Sequence, residues 1–342
     1  MILLLIEVSD GKRVKKENMA VHIKKNGNLE YLGGSTVPQL SNLFIDKLYI
    51  VLPIPEELHA ETIAGFEKAI NNGWGKKIYM PRYQHSLKLS SDSSDEGNII
   101  IQCNPKNPAY RFFRLEFNPA KADLNNLKTQ IDNILPGGYA NLMANGIVNR
   151  IDFTVQATYI NPTDILASHP DLKDGKYYGM TGSIESKYLG SPAINKEILL
   201  YDKNAEVVKS NLKKVKGLKT PVPDHKVLRI EFRLMKTNTT LKELEALENP
   251  FLNLTLTAYL PSNLSTPYSP TWPLFLCSCR YEGVEKSLSY FNDEDREHYK
   301  NRLKTEGKTD WWKPAKVWEG LPSAINVITN AKGNNPSQKL IS

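Results

Sequence analysis

The chain has 342 residues, of which 40% are hydrophobic and 24% are charged, and this composition excludes a globally disordered protein. Its 44 Lys and Arg against 37 Asp and Glu give a net charge of +7, which permits a polyanionic partner without requiring one. Three cysteines are too few for a disulfide framework, and no apolar run is long enough to span a membrane, so we expect a cytoplasmic protein without a membrane partner.

The first 140 residues predict an appendage followed by a mixed α/β unit. Residues 1–40 contain two short apolar runs, the basic cluster GKRVKK and an NGN turn, which we interpret as an N-terminal appendage. Residues 41–140 predict the order βαβββα. The helices run from about 56 to 71 and from about 124 to 135. The strands read LFIDKLYIVLPI, YQHSLKLS, NIIIQCN and YRFFRLEF.

Residues 141–245 contain three further strand patterns, which read IVNRIDFTVQ, EILLYDKN and VLRIEFRL. Between the first two, NPTDILASH predicts a short helix, and a second helix is predicted from about 205 to 212. From about residue 246 the pattern predicts a helical C-terminal region that ends in a frayed tail at 342. Its three tryptophans could stack on bases beside neighbouring lysines, but packing in a core is the commoner use of tryptophan. These tryptophans are Trp311, Trp312 and Trp318, interleaved with Lys313 and Lys316.

The polar residues of these three strands alternate with apolar ones. In an extended strand alternate side chains share a face, so Asp152 lies on the face opposite Phe153. If the strands are neighbours, one sheet face collects Asp152, Glu231, Tyr201 and Lys203. Carboxylates can hold a hard divalent cation, a tyrosine can act as a nucleophile, and a lysine can stabilise negative charge on phosphate.

The same residues also allow a purely structural interpretation. Asp152 with Arg229, or Glu231 with Arg150, could simply pair across strands, which stabilises a sheet by only about 0.2–1 kcal/mol. Taken singly, each charged pair favours this second interpretation.

The two halves read as diverged copies of one unit. FRLEFNPAKADLNNL matches LRIEFRLMKTNTTLKEL, so Glu116 aligns with Glu231 at a separation of 115 residues. The alignment also places Asp46 against Asp152 and Gln102 against Tyr201. We therefore predict an α+β fold of antiparallel sheets with flanking helices, built from duplicated βαβββα units. Residues 41–140 form a non-catalytic copy and residues 141–245 a catalytic one.

The ordered motifs resemble the core of rolling-circle replication initiators, namely the staphylococcal plasmid Rep proteins and the gene II nickases of filamentous phages. The resemblance covers roughly residues 147–245 and is carried by RID at Arg150, YLGS at Tyr188, LLYDKNAE around Tyr201, and LRIEFRL around Glu231. It implies a fold related to the HUH nucleases and a chain that works in the cytoplasm of a bacterial host cell.

The resemblance also implies roles for individual residues. Tyr201 would be the DNA nucleophile assisted by Lys203, while Asp152 and Glu231 would hold Mg²⁺ or Mn²⁺. The implied partners are single-stranded and origin DNA, with a host helicase and polymerase. The DNA contacts would be Arg150, Arg229, Arg233 and Lys187.

Two departures limit the resemblance. Gln156 stands where such families often have a second acid after RID, so water or another side chain would complete a metal site. No His-x-His pair occurs among the six histidines, which excludes the usual histidine ligation of HUH enzymes. Two other functions therefore stay open: a catalytically silent origin or operator DNA-binding protein on a degenerate nuclease fold, and a carboxylate-metal nuclease that uses water.

Overall fold

A computed structural model describes residues 20–23, 29–32, 38–89, 99–172, 174–178, 184–213, 219–258, 271–307 and 309–331. The apolar run near the N-terminus, the basic cluster GKRVKK and the predicted frayed tail lie outside these residues. Residues 1–37 and 38–342 group as two compact units. In the first unit, β1 (Ala20–Ile23) and β2 (Leu29–Leu32) pair as an antiparallel hairpin.

The second unit is built on one large antiparallel sheet. Ten of its described strands follow the order β10-β11-β12-β13-β8-β3-β7-β6-β5-β4, and β9 pairs separately with β14. The α+β class, the antiparallel sheet with flanking helices and the helical C-terminal region are confirmed. The strands are β3 (Phe44–Leu52), β4 (Gly75–Lys77), β5 (Tyr83–Leu89), β6 (Ile99–Pro105), β7 (Phe113–Phe117), β8 (Ile147–Thr158), β9 (Ile165–Ser168), β10 (Asp174–Tyr178), β11 (Ser186–Ser191), β12 (Lys196–Asp202), β13 (Val227–Thr240) and β14 (Thr255–Ala258).

The two halves of the sheet have the same strand order. β3 and β8 are the first long strands of each half, and they pair with each other at the centre. On each side the last strand of the half comes next, followed by the earlier strands in reverse order of sequence. From the centre outward each half therefore has its first strand, then its last, then its second-last and third-last strands, as the predicted duplication requires.

The strand register of the two halves is also the same. Gln102 lies opposite Arg114 in the first half, and Tyr201 lies opposite Arg229 in the second. Positions 114 and 229 differ by 115, the separation of the aligned residues Glu116 and Glu231. The unmatched pair Gln102 and Tyr201 thus occupies equivalent ladder positions.

The predicted equivalence of Asp46 and Asp152 is wrong by one residue. Asp152 lies opposite Arg233, which the 115-residue offset matches to Asn118, and the register of Leu48 opposite Phe117 continues to Lys47 opposite Asn118, so Asp152 is equivalent to Lys47. Ile45 and Lys47 pair with the consecutive residues Phe153 and Asp152, so Asp46 is the extra residue of a β-bulge. A bulge has no signature in an alignment of short apolar strands. It turns the Asp46 side chain out of strict alternation.

The helices depart from the predicted duplication in the second half. The first half has a helix after its first strand, whereas β8 is followed by a short 3₁₀ turn and β9, so the helix predicted at NPTDILASH is absent from this segment. The apolar run Ile165–Ser168 instead pairs with β14. The helices are α1 (His59–Asn71), α2 (Leu124–Ile134), α3 (Gly138–Asn145), α4 (Lys203–Lys213), α5 (Leu241–Leu244), α6 (Thr271–Glu282), α7 (Val284–Leu288), α8 (Asp293–Glu306), α9 (Pro314–Trp318) and α10 (Leu321–Thr329).

One face of the sheet is the apolar core. Residues such as Leu48, Ile151 and Ile230 are completely buried there. The C-terminal tryptophans extend this core: Trp318 makes an edge-on contact with Phe153, with ring centroids 5.0 Å apart. The indole of Trp312 donates to the Leu254 carbonyl at 2.9 Å. These partly buried rings hold the described C-terminal helices against the core face of the sheet.

Candidate active site

A polar cleft of about 600 Å³ lies on the face of the sheet opposite the core. The predicted carboxylates Asp152 on β8 and Glu231 on β13 both line it, as does Tyr201 on β12. The cleft wall opposite the sheet includes Ala205 and Glu206 of α4. The strands place these side chains together because β12, β13 and β8 are neighbours in the sheet.

Tyr201 is joined directly to Glu231. Its hydroxyl donates a 2.7 Å hydrogen bond to Oε1 of Glu231 and accepts a 3.0 Å bond from Nη1 of Arg229. A tyrosine whose proton faces a carboxylate and whose oxygen faces a guanidinium has the two groups that an activated nucleophile needs. A tyrosine nucleophile with an adjacent base would have this arrangement.

Burial raises the pKa of Tyr201 well above its usual value. The negative charges of Glu231 and Asp46 raise it further, while Arg229 lowers it by attraction and by hydrogen bonding. Tyr201 is therefore a neutral phenol at physiological pH. Attack by its oxygen requires transfer of the hydroxyl proton to an acceptor during the reaction.

Arg233 ties the carboxylates of the cleft into one network. Its Nη2 lies 2.8 Å from Oε2 of Glu231, its Nη1 lies 3.0 Å from Oε2 of Glu197, and its Nε lies 3.7 Å from Oδ2 of Asp152. Because one guanidinium reaches both Asp152 and Glu231, the two carboxylates lie on the same side of the sheet. This is the placement that the alternation of the strands predicts.

Asp152 is held by two arginines. Arg150 donates from Nε and Nη2 to its two oxygens at 2.8 and 2.7 Å, a bidentate pair. Burial raises the pKa of Asp152, although Arg150 and Arg233 oppose this shift. The Asp152 side chain is 2% exposed, whereas Arg150 is 22% exposed and also lines the cleft.

Asp46 is a residue of this site that sequence reasoning assigned to the other copy. It lies in the cleft lining, accepts a 3.0 Å hydrogen bond from Asn118, and lies 3.4 Å from Nη1 of Arg229. Burial alone would raise its pKa, but Arg229, the bond from Asn118, and the charges of Lys121 and Lys203 together lower it. The sequence held one signal for this role: Asp46 is an acid on β3, and β3 pairs with β8 in the sheet.

Lys203 does not lie where the sequence predicted it. Lys203 does not share a strand face with Tyr201, because β12 ends at Asp202 and Lys203 begins α4. Its ammonium group pairs with Glu206, and its pKa is lowered by burial and by the charge of Arg229. Its positive charge helps to lower the pKa of Asp46.

The structure contradicts the prediction that Lys187 contacts DNA. Its side chain is 1% exposed and its ammonium group donates to the carbonyl oxygen of Ile165. The alternation of β11 explains this, because the adjacent Ser186 and Tyr188 line the cleft and Lys187 points to the other face. Arg229 is also buried, at 5% exposure, beneath Tyr201 and Phe44, while Arg150 and Arg233 border the cleft.

The two predicted metal ligands are already paired with other side chains. Both oxygens of Asp152 face Arg150, and the oxygens of Glu231 face Tyr201 and Arg233. Within the described parts of the chain, no group of three or more His, Cys, Asp or Glu could hold a metal ion. In this arrangement a divalent cation would have to displace a guanidinium, so the pair does not form a ready metal site. The Mg²⁺ or Mn²⁺ requirement stays a prediction.

Comparisons with known proteins give no family. No protein-family model matches this chain, and no curated protein has a significant match to it. Among the residues that the structure describes, no helix is long and apolar enough to cross a membrane.

Proposed function

We propose that this protein is a rolling-circle replication initiator that nicks and rejoins single-stranded origin DNA with Tyr201 as its nucleophile. The observation that supports this most directly is the 2.7 Å hydrogen bond from the Tyr201 hydroxyl to Glu231. The motif resemblance adds the substrate class. The cleft beside Tyr201 is open and bordered by Arg150 and Arg233, which suit a phosphodiester.

In the proposed step, the Tyr201 oxygen attacks a backbone phosphorus and its proton passes to Glu231. The P–O3′ bond breaks, and the leaving 3′ oxygen takes up a proton to become a 3′-hydroxyl. The product is a 5′-phosphotyrosine, and the free 3′-hydroxyl primes a polymerase. Since the phosphotyrosine keeps a phosphodiester bond, attack by a new 3′-hydroxyl would rejoin the strand and release Tyr201.

Arg229 has a defined part in this step. Its guanidinium donates to the Tyr201 oxygen at 3.0 Å, so it would stabilise the negative charge that develops there as the proton leaves. Asp46 lies 3.4 Å from Arg229 and is positioned to orient that guanidinium. The reaction as written uses only side chains of this chain, and a divalent cation, if bound with the DNA phosphate, would supply further charge neutralisation.

The cellular setting follows from the same proposal. A replication initiator of this type would act in the bacterial cytoplasm, on origin DNA, with a host helicase and polymerase as partners.

The experiment is an adduct assay. The full-length protein is incubated with 5′-labelled and 3′-labelled single-stranded origin DNA and Mn²⁺, and run on a denaturing gel. A protein-linked product that carries the 3′ label supports the proposal, because the enzyme stays on the 5′ phosphate of the downstream fragment. Cleavage without any adduct would favour a nuclease that uses water.

A second function is a catalytically silent origin or operator DNA-binding protein. The observation in its favour is that arginines bind both oxygens of Asp152 and one oxygen of Glu231, and that Tyr201 has a raised pKa. Such a protein would bind the same DNA but yield neither cleavage nor adduct. The gel assay separates the two functions when binding is measured in parallel.

A further inference from the structure

An exposed surface of cations and tyrosines lies in the first half of the sheet, in the segments around β4–β5 and after β6. Residues 74–89 and 99–115 contain seven Lys and Arg and no Asp or Glu. Tyr79 is 83% exposed and Tyr110 is 41% exposed, so both rings are open to solvent within these basic segments. None of the lining residues of the candidate active site belongs to these segments.

The two rings are held in a reciprocal arrangement. Tyr79 follows β4 and is contacted by Lys106 from the loop after β6, with Nζ 5.0 Å from the ring centroid. Tyr110 belongs to that second loop and is contacted by Arg82 from the first, with Cζ 5.6 Å from the centroid. Each loop therefore supplies the ring for the cation of the other.

Hydrogen bonds fix the two loops to each other. The Lys106 amide donates to the Arg82 carbonyl at 3.0 Å, and the Tyr83 hydroxyl donates to the Arg111 carbonyl at 3.2 Å. The second loop is closed by the Tyr110 amide, which donates to the Asn107 carbonyl at 3.1 Å. The rings and cations are thus presented by an ordered backbone, which lowers the entropy lost when a ligand binds.

We propose that the surface formed by Tyr79, Arg82, Lys106 and Tyr110, here called the tyrosine patch, binds single-stranded DNA at a site separate from the candidate active site. Alternating aromatic rings and cations are what a single strand requires, because bases stack on rings and phosphates pair with cations. An acidic protein partner would need cations but would leave the exposed rings unused. Duplex DNA keeps its bases stacked on one another and cannot use the rings either.

The patch gives a function to the half of the chain that lacks the tyrosine nucleophile. A strand bound there is held by the same rigid sheet that carries the cleft, since β3 and β8 pair directly. The binding step itself is independent of cleavage. Its test therefore needs neither an origin sequence nor an active enzyme.

The experiment measures binding of the full chain to fluorescent (dT)₃₀ by anisotropy, without divalent metal. The variant Tyr79→Ala/Tyr110→Ala should raise Kd at least tenfold, since each lost stacking contact is expected to cost about fivefold or more. Tyr79→Phe/Tyr110→Phe keeps the rings and should stay within about twofold of the parent. Tyr281→Ala, which removes another ring that is 64% exposed, is the matched control and should also stay within about twofold.

Two further measurements separate stacking from charge. Arg82→Ala/Lys106→Ala should lower the slope of log K against log salt by about 1.4, the value for two phosphate contacts on a single strand. A 30-base-pair duplex should bind the alanine double variant nearly as well as the parent. Parent-like (dT)₃₀ binding by that variant would overturn the proposal, as would equal losses for (dT)₃₀ and duplex, or equal losses for the Phe and Ala variants. Thermal unfolding checks that each variant is folded.

Discussion

Tyr201 and Glu231 lie on neighbouring strands, and the Tyr201 hydroxyl donates a 2.7 Å hydrogen bond to Oε1 of Glu231. The other oxygen of the same carboxylate, Oε2, accepts a 2.8 Å hydrogen bond from Nη2 of Arg233. Because Arg233 fixes one oxygen, the second is held facing the phenol. The Tyr201 hydroxyl, whose pKa is raised, thus faces a fixed hydrogen-bond acceptor.

Tyr201→Phe should abolish the covalent DNA adduct while the protein still folds. The change removes one oxygen and its bonds to Glu231 and Arg229, which should lower the free energy of unfolding by about 1–3 kcal/mol. Adduct formation is read on a denaturing gel and stability by urea unfolding. Tyr188→Phe, in the same cleft, is the control and should keep the adduct. An adduct that persists in Tyr201→Phe and disappears in Tyr188→Phe would assign the nucleophile to Tyr188.

Glu231→Gln should slow nicking by about 10²–10⁴-fold, because the proton acceptor for Tyr201 is lost while its shape is kept. Glu197→Gln is the matched control, since Glu197 also binds Arg233, at 3.0 Å, but has no bond to Tyr201 in the structure. Single-turnover nicking rates should therefore fall for the first variant far more than for the second. Equal losses would mean that both glutamates act only by holding Arg233.

Asp46→Asn should destabilise the protein at neutral pH and less so in acid. The pKa of Asp46 is lowered in the folded state, so its contribution is present above the unfolded value near pH ~4 and is lost as pH falls through the lower folded pKa. Loss of the charge beside buried Arg229 should cost about 1–3 kcal/mol at pH 7. Urea unfolding at pH 7 and pH 3.5 measures the difference. Asp293→Asn, which alters a carboxylate that is 97% exposed, is the control, and a deficit that is the same at both pH values would contradict the expectation.

Arg150→Gln should tighten Mn²⁺ binding if Asp152 can take part in a metal site. Arg150 now covers both oxygens of Asp152, and its removal frees them and removes one positive charge. We expect roughly tenfold tighter binding, measured by electron paramagnetic resonance without DNA, since removal of one positive charge a few ångströms from the cation changes the binding free energy by about 1.4 kcal/mol or more. Arg111→Gln, an exposed change outside the cleft, should leave the affinity as it is. Unchanged Mn²⁺ affinity in Arg150→Gln would argue against these carboxylates as ligands.

Lys187→Met should lower stability and leave DNA affinity unchanged. The ammonium group is buried and donates to the Ile165 carbonyl, so its loss leaves a buried acceptor without that donor and should cost about 1–3 kcal/mol. DNA binding is compared at a temperature where both proteins are folded. Arg233→Met, at the cleft, is the contrasting variant and should weaken binding. If Lys187→Met weakened DNA binding as much as Arg233→Met, Lys187 would have to be a DNA contact after all.

Strand alternation was sufficient to place the main site residues. Asp152, Glu231 and Tyr201 lie on one face because period-two alternation leaves no other choice once their strands are neighbours. The alignment of Gln102 with Tyr201 also agrees with the ladder positions that the two residues occupy.

Other features depend on information that the local pattern does not contain. The position of Lys203 was misjudged because a strand can end one residue after Tyr201, and nothing in YDKN marks that end as different from a continuing strand. Lys187 obeys strand alternation, which turns it away from the cleft, but it was predicted as a DNA contact from its charge alone. Asp46 reaches Arg229 only through a bulge and through pairing of strands about 100 residues apart, and neither is visible locally.

The direct pairing of β3 with β8 makes each half an incomplete sheet by itself. A cut between α3 and β8 would leave two long strands, each with a row of unpaired backbone groups, and unpaired edges of this kind favour aggregation. The excised second half would also lose Asp46, the acidic neighbour of Arg229. Truncation to the motif-bearing segment alone is therefore a poor route to a minimal folded unit, whereas co-expression of the two pieces, with β3 and β8 free to pair, is the rational way to divide this chain.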